Sequence, residues 1–144
     1  MVNNGALSRI IALDFGKKRT GIAVTDPLKI IATPLETVET KELIGFLKKY
    51  FAKETVEKVI IGYPLNFDDS PTDATPLVER FIPKFQHVFP EIPIEKVDEQ
   101  MTSRMASQAI AQMGLNKKKR EQKTLIDVTS AVIMLQEYLE THPG

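Results

Sequence analysis

Apolar residues recur along this chain with two different periods, which predict strands in some segments and helices in others. Short apolar runs bounded by glycine, proline or aspartate are typical of buried strands, and they predict strands over 9–14, 20–25, 30–37, 56–62 and 92–97. Apolar residues spaced three and four apart are typical of helices that pack on a core, and they predict helices over 42–52, 77–88, 101–113 and 124–138. The segments 65–75 and 116–120 are predicted to be connections, the second of them basic.

The order of these elements indicates a mixed sheet covered by helices. The connection over 15–19 is short, so the first two strands are expected to pair as an antiparallel hairpin. Pro34 favours an edge or strand-end position in the third strand, and Pro83 predicts a kink or break in the second helix. We therefore predict an α/β protein of the RNase H-like class with a five-stranded mixed sheet. Its domain is expected to span 9–140, between tails at 1–8 and 141–144.

The composition fits an ordinary globular domain and removes several kinds of site. Of the 144 residues, 42% are hydrophobic and 26% are charged. The chain has no cysteine, which excludes a disulfide framework, a thiolate zinc site and a cysteine nucleophile. No apolar run reaches the ~18 residues of a membrane span, and the first residues lack the pattern of a secretory signal. A cytoplasmic protein without a membrane partner is therefore expected.

Positive charge is concentrated in two short clusters, although the formal net charge is zero. The clusters consist of Lys17, Lys18 and Arg19 and of Lys117, Lys118, Lys119 and Arg120. A basic run is usually a solvated loop, but the first run closely follows Asp14 and the second shortly precedes Asp127. Lysine and arginine contacts with phosphates position a nucleic-acid strand without reading its sequence. We therefore predict that both clusters bind nucleic acid.

Acidic residues stand at three places where an α/β sheet could bind a ligand. Asp14 ends the first predicted strand, and a buried carboxylate is costly unless it is paired or binds a cation. Asp98 and Glu99 follow the fifth strand; adjacent residues point to opposite sides, so at most one of them faces the same site, and spacing leaves open which one. Asp127 lies in an amphipathic helix, where aspartate is unfavourable except near the helix start. The structural alternatives are a turn cap, a solvated strand end and an acid that stabilises the helix dipole.

Carboxylates from three separate elements at one sheet end would suit hard divalent cations. Magnesium prefers oxygen ligands, with Mn²⁺ as the alternative ion, and two such ions can clamp the attacking water and the leaving oxygen of a phosphodiester. The two histidines, His87 and His142, lack the spacing of a zinc site. The residues thus favour a metal-dependent nuclease that uses Asp14, Asp127 and one acid of the pair at 98–99.

Four motifs follow one another along the chain. They are ALDFGKKRTGIAVTD at 12–26, IGYPLNFDDS at 61–70, VDEQMTS at 97–103 and KKKREQKTLIDVTSAVIMLQEYL at 117–139. In this order and at this spacing they resemble the YqgF-type family, bacterial proteins related to Holliday junction resolvases and regarded as nucleases that mature the precursor of 16S ribosomal RNA. The resemblance covers about 9–139. It implies RNA as the preferred substrate, with a ribosomal particle as a further partner.

The resemblance also implies roles for individual residues. The family's catalytic and metal-binding triad falls on Asp14, Glu99 and Asp127, which favours Glu99 over its acidic neighbour. Related resolvases carry an acid after the fourth strand, where this chain has Gly62, Tyr63 and Pro64.

Further polar positions are carried over from the family with less weight. Asn66, Thr102 and Ser103 are expected to line the site, with turn formation and helix capping as the structural alternative. Gln100 stands where the family often has arginine, and we expect this replacement to lower efficiency rather than to change the reaction.

The sequence is also compatible with other function classes. Branched DNA is an alternative substrate for the same chemistry; junction cutting would favour a homodimer, whereas the sequence is equally compatible with a monomer. A nucleic-acid-binding module without catalysis would use the same basic clusters and lose little if Asp14 were replaced. A nucleotide-binding protein of the actin-like class would need a second domain, for which 144 residues are expected to be too few.

Overall fold

The computed structural model describes residues 8–63, 75–98 and 119–141, with the side chains of 98 and 119–128 outside the description. Five strands are present in the described ranges: β1 (Arg9–Phe15), β2 (Arg19–Thr25), β3 (Ala32–Glu39), β4 (Val56–Tyr63) and β5 (Ile94–Asp98). Three α-helices accompany them: α1 (Leu43–Lys53), α2 (Thr75–Val88) and α3 (Lys119–Thr141). A 3₁₀ turn at Thr40–Glu42 leads into α1.

The strands form one mixed sheet in the order β3-β2-β1-β4-β5. The first three strands pair antiparallel, and β1, β4 and β5 run parallel. This is the predicted α/β arrangement of the RNase H-like class. The leading hairpin is confirmed, and so is the edge position of β3, where Pro34 pairs with Ala23 beside a register shift in β2. Proline is tolerated there because an edge strand leaves one row of backbone groups unpaired.

Both faces of the sheet are buried, each by different helices. Alternate residues of β1 point to opposite faces: Ile11, Leu13 and Phe15 belong to a core cluster with residues of α1 and α2, whereas Ile10 and Ala12 belong to a cluster with residues of α3. Such two-sided burial explains why β1 and β4 are nearly continuous apolar runs. The sheet therefore separates an α1/α2 face from an α3 face.

Two sequence-based expectations about the helices were wrong. A kink or break was predicted at Pro83; α2 continues through this residue, so the break is absent. Pro83 is exposed, which lets water bond the carbonyl that proline leaves unpaired, while Phe81 and Phe85 hold the helix on the core. The connection predicted over 116–120 overlaps α3, because this helix already begins at Lys119. Lysine, arginine, glutamate and glutamine are good helix formers, so the helix extends beyond its apolar stripe.

The C-terminal part of α3 is tied to the beginning of β4 and β5. Lys58 Nζ donates to the Tyr138 hydroxyl at 2.5 Å and to Glu95 Oε1 at 3.1 Å, and the Tyr138 hydroxyl donates to the same carboxylate at 3.0 Å. The hydrogen bond with Tyr138 raises the pKa of Lys58 against the effect of its burial. Because Lys58 pairs with Ile10 of β1, this tie lies at the end of the sheet opposite to Asp14.

Candidate active site

Asp14 lies near the carboxyl end of β1 on the α3 face of the sheet. It alternates with Ala12, which belongs to the α3-face cluster, and its side chain is half-buried. The residue opposite Asp14 on β2 is Gly21. Since glycine has no side chain, β2 places no side chain next to the Asp14 carboxylate at this position, and Gly21 itself is buried. Asp14 thus occupies the strand-end position where α/β sheets bind ligands.

The carboxyl ends of the other two parallel strands lie at the same edge of the sheet. Gly62 of β4 pairs with Val97 of β5, and Tyr63 pairs with Asp98. Glu99 directly follows this strand end in sequence, but it lies outside the described residues. Its selection over Asp98 stays a prediction.

Tyr63 occupies the place where related resolvases are expected to carry an acid, and it is turned toward α2. Its hydroxyl donates to Glu79 Oε2 at 2.5 Å, and this hydrogen bond raises the pKa of Tyr63. Lys96 Nζ lies 4.6 Å from the centre of the Tyr63 ring and 3.8 Å from the Glu79 carboxylate. The end of β4 therefore makes a structural contact with α2 on the face opposite to Asp14.

Thr40 holds the turn that follows Asp14. The Thr40 hydroxyl donates to the Gly16 carbonyl at 2.6 Å, and the Thr40 backbone N–H donates to the Lys18 carbonyl at 2.9 Å. A second hydroxyl, that of the fully buried Thr20, lies 2.9 Å from the Thr40 hydroxyl and must donate to it, because the one proton of Thr40 goes to Gly16. The start of α1 is thereby connected to the loop beside the candidate site.

Replacing Thr40 by valine should loosen this turn. The change removes the hydroxyl without changing the shape and leaves the buried hydroxyl of Thr20 without its acceptor. Losing a partner in this way costs about 1–3 kcal/mol in the free energy of unfolding, measurable by urea denaturation. Thr40→Ser keeps the hydroxyl and is the control. Equal stability of the valine and serine variants would contradict a role for the hydroxyl.

Asp127 lies in α3, but its side chain is not among those described. Ser130 follows three residues later, and its hydroxyl is fully buried without a hydrogen-bond partner in the described part of the chain. An unpaired buried hydroxyl costs about 1–3 kcal/mol, so the place favours a water molecule or another polar group. Of the predicted metal ligands, only Asp14 has a described side chain, and a half-buried carboxylate is the kind of oxygen ligand that magnesium prefers.

The metal-binding triad itself is not tested by the described side chains. Within 8–63, 75–97 and 129–141, no three acidic or histidine side chains form a group that could hold a metal ion. Two of the three predicted ligands, Glu99 and Asp127, fall outside those side chains, so only Asp14 can be placed. Asn66, Gln100, Thr102 and Ser103 also lie outside the described residues.

The first basic cluster lies beside Asp14, as its sequence position predicts. Lys17 and Lys18 are exposed in the turn between β1 and β2, and Arg19 is the half-buried first residue of β2. In the second cluster, Lys119 and Arg120 form the beginning of α3, whereas Lys117 and Lys118 are outside the described residues. Binding of nucleic acid by either cluster stays a prediction.

A basic cleft that the sequence did not predict opens on the α1/α2 face of the sheet. It has a volume of about 240 Å³, and its lining comprises Phe15, Lys17, Thr40, Lys41, Ile44, Leu77, Arg80, Phe81 and Lys84. Arg80 and Lys84 do not form a run in sequence, so charge clustering does not reveal them. Their four-residue spacing on an amphipathic helix was the available signal.

The family of the chain is decided by its match over almost the whole length. The family model described as "RuvX: Holliday junction resolvase" matches residues 8–141. The chain belongs to the RuvX family. This confirms the resemblance to YqgF-type proteins that the four motifs indicated, and the family match spans every described element from β1 to α3.

Several bacterial relatives of this RuvX-family chain are provisionally named pre-16S rRNA nucleases. The relative from Flavobacterium psychrophilum is 50% identical over 92% of this chain and 97% of its own length. The relative from Christiangramia forsetii is 51% identical over 92% of this chain and 98% of its own length. The relative from Bacteroides thetaiotaomicron is 47% identical over 94% of this chain and 98% of its own length.

None of the described helices of this RuvX-family chain is both long enough and apolar enough to cross a membrane.

Proposed function

We propose that this chain is a metal-dependent nuclease that hydrolyses phosphodiester bonds and matures the 5′ end of precursor 16S ribosomal RNA. The observation that carries the proposal is the position of Asp14, a half-buried carboxylate beside Gly21 at the carboxyl edge of the parallel strands. The names of the relatives and the family match support the reaction class. Asp14, Glu99 and Asp127 are the proposed catalytic residues.

The direction of α3 supports a common site for Asp14 and Asp127. Tyr138 lies beside Lys58, level with Ile10 at the opposite end of the sheet. Asp127 precedes Tyr138 by eleven residues, which corresponds to about 16 Å along a helix. Asp14 follows Ile10 by four residues, or about 13 Å along a strand. Since Ala131 packs in the same cluster as Ala12 and Ala23, we infer that α3 runs back over the sheet toward Asp14.

The three carboxylates would hold magnesium, or manganese as the alternative, through oxygen ligands. When bound, the metal would activate the attacking water and neutralise charge that develops on the phosphate. Asp14 would present its ligand oxygens from a strand of the sheet, opposite Gly21, which adds no side chain on that face. The buried Ser130 hydroxyl can donate to an ordered water at the α3 side.

The basic residues around Asp14 would position the nucleic acid. Lys17 and Lys18 are exposed directly after the strand that carries Asp14. Lys119 and Arg120 stand in the first turn of α3, where the positive end of the helix dipole adds to their charge. Contacts with phosphate oxygens at both places would fix the strand and offset the charge of the transition state.

RNA is the proposed substrate because the relatives are named for a precursor ribosomal RNA. Such a substrate implies that the protein acts in the cytoplasm, on a ribosomal particle. Cutting of four-way DNA junctions is the second candidate, favoured by the description of the family model. A junction resolvase needs two symmetric sites and hence a dimer, whereas RNA cleavage is compatible with a monomer.

A single incubation series tests the proposal. The purified full chain is mixed with precursor 16S ribosomal RNA or with a four-way DNA junction, each with Mg²⁺, Mn²⁺ or a chelator. Cleavage of the RNA that requires a divalent ion is expected, with the junction left intact. Cleavage of the junction alone would replace the first candidate by the second. Binding without cleavage of either substrate, under all three conditions, would make the chain a nucleic-acid-binding module.

A further inference from the structure

The basic cleft combines four cations at its rim with an apolar floor. The rim consists of Lys17, Lys41, Arg80 and Lys84, and the floor of Phe15, Ile44, Leu77 and Phe81. Arg80 and Lys84 are one turn apart on α2, and like charges at this spacing destabilise a helix. An anion bound in the cleft would relieve this repulsion.

Few acidic groups neutralise this charge in the described part of the protein. No acidic side chain described there forms an ion pair with Lys17, Arg80 or Lys84. Lys41 has only a long contact, 3.8 Å, with the exposed Glu39. Its charge is therefore only weakly offset.

The one acid of α2 is engaged elsewhere. Glu79 accepts a hydrogen bond from Tyr63 at 2.5 Å and lies 3.8 Å from Lys96. Both partners belong to β4 and β5 rather than to the cleft lining. The carboxylate nearest in sequence to Arg80 therefore leaves the cleft positive.

The apolar floor distinguishes the cleft from a simple phosphate site. Ile44 and Leu77 are half-buried, and the Phe15 ring packs on the Phe81 ring with centroids 4.7 Å apart. A phosphate gains nothing from such a surface, whereas an unpaired base can pack against it. The volume of about 240 Å³ is smaller than the roughly 300–1,000 Å³ of a complete small-molecule site. It fits part of a longer ligand.

The cleft also lies next to the candidate active site along the chain. Asp14 and Phe15 are adjacent on β1 and point to opposite faces of the sheet. Lys17 follows in the turn and lines the cleft. We propose that the basic cleft binds the single-stranded part of the nucleic acid that continues beyond the bond to be cut, with phosphates on the four cations and a base over the apolar floor. The identity of this strand as substrate rests on the proposed function.

Removing the two cations of α2 tests the cleft separately from catalysis. Binding of a fluorescent single-stranded oligoribonucleotide is measured in the presence of a chelator for the full chain and for Arg80→Gln/Lys84→Gln over a series of salt concentrations. We expect affinity to fall about tenfold at low salt. The slope of log affinity against log salt should become shallower by roughly 1.4, since each contact with a single strand contributes about 0.7.

The matched control is Lys49→Gln/Lys53→Gln, which removes an exposed pair of the same spacing and charge from α1 outside the cleft. Arg80→Lys/Lys84→Arg keeps the charge and should retain affinity. Equal losses in the two glutamine variants, or none in either, would overturn the proposal. So would tighter binding of duplex RNA, which hides its bases, or equal competition by polyglutamate, which would indicate an acidic protein partner.

The experiments distinguish rejection of the proposed cleft from rejection of the proposed nuclease function. Normal metal-dependent cleavage with unchanged binding by the Arg80→Gln/Lys84→Gln variant would reject the cleft alone. Loss of binding in that variant, in a chain that cleaves nothing, would reject the nuclease and retain the cleft.

Discussion

Asp14→Asn should abolish divalent-ion-dependent cleavage while leaving nucleic-acid binding intact or tighter. The substitution keeps the size of the side chain but removes the charge that holds a hard cation at the end of β1. Loss of a residue that only hydrogen-bonds a metal ligand reduces activity about 10- to 100-fold. Loss of a direct ligand should therefore reduce the cleavage rate by more than about 100-fold. Binding should persist because the phosphate contacts come from basic residues, and one source of repulsion disappears.

Parallel substitutions in the adjacent acidic pair sharpen this experiment. Glu99→Gln should behave like Asp14→Asn, whereas Asp98→Asn should keep most of the activity, because neighbouring residues of an extended chain point to opposite sides. Cleavage rates are measured at saturating Mg²⁺, with binding measured separately in chelator. Full activity of Asp14→Asn would remove the carboxylate mechanism, and a stronger effect at Asp98 than at Glu99 would reassign the ligand.

Gly16→Ala should both destabilise the protein and reduce cleavage. A Cβ atom at this position would lie 2.4 Å from the backbone carbonyl oxygen of Arg19, so the turn must shift. Overpacking of this kind costs about 1–3 kcal/mol. The shift would also disturb the bond from the Thr40 hydroxyl to the Gly16 carbonyl and move Lys17 relative to Asp14. Urea denaturation measures the change in the free energy of unfolding, and the cleavage assay measures the effect of the shifted turn on the cleavage rate.

Gly45→Ala is the matched control for this substitution. Gly45 is exposed within α1, and an added Cβ would meet no atom within 4 Å. Alanine is favoured over glycine in a helix interior by roughly 0.5–1 kcal/mol, so this variant should be more stable and fully active. A Gly16→Ala variant as stable and as active as Gly45→Ala would show that the turn tolerates a side chain.

The sequence was sufficient for the parts of the fold that follow from local pattern. The short connection at 15–19 predicted the β1–β2 hairpin, and Pro34 predicted the edge strand, because both effects act through neighbouring backbone groups. The predicted break at Pro83 was wrong, since burial of Phe81 and Phe85 on the core outweighs the loss of one helical hydrogen bond. Local preference yields there to tertiary packing, which a single sequence does not display.

The candidate site was predictable only where a residue has an unusual position in the sequence pattern. Asp14 was found because a carboxylate at the end of an apolar strand is unusual. Thr40 was not, because its role arises from two contacts across 20 and 24 residues of sequence, to Thr20 and Gly16. The cleft was missed for the same reason: Lys17, Lys41, Arg80 and Lys84 converge only after folding.

The alternation of Asp14 and Phe15 on β1 has a kinetic consequence. Because the sheet lies between the proposed chemistry and the proposed strand-holding surface, substitutions should divide by face. Asp14→Asn on the α3 face should lower kcat with little effect on KM, and Arg80→Gln/Lys84→Gln in the cleft on the other face should raise KM with kcat preserved. A double variant with one change on each face should then show additive free-energy losses, as expected for sites that share no contact.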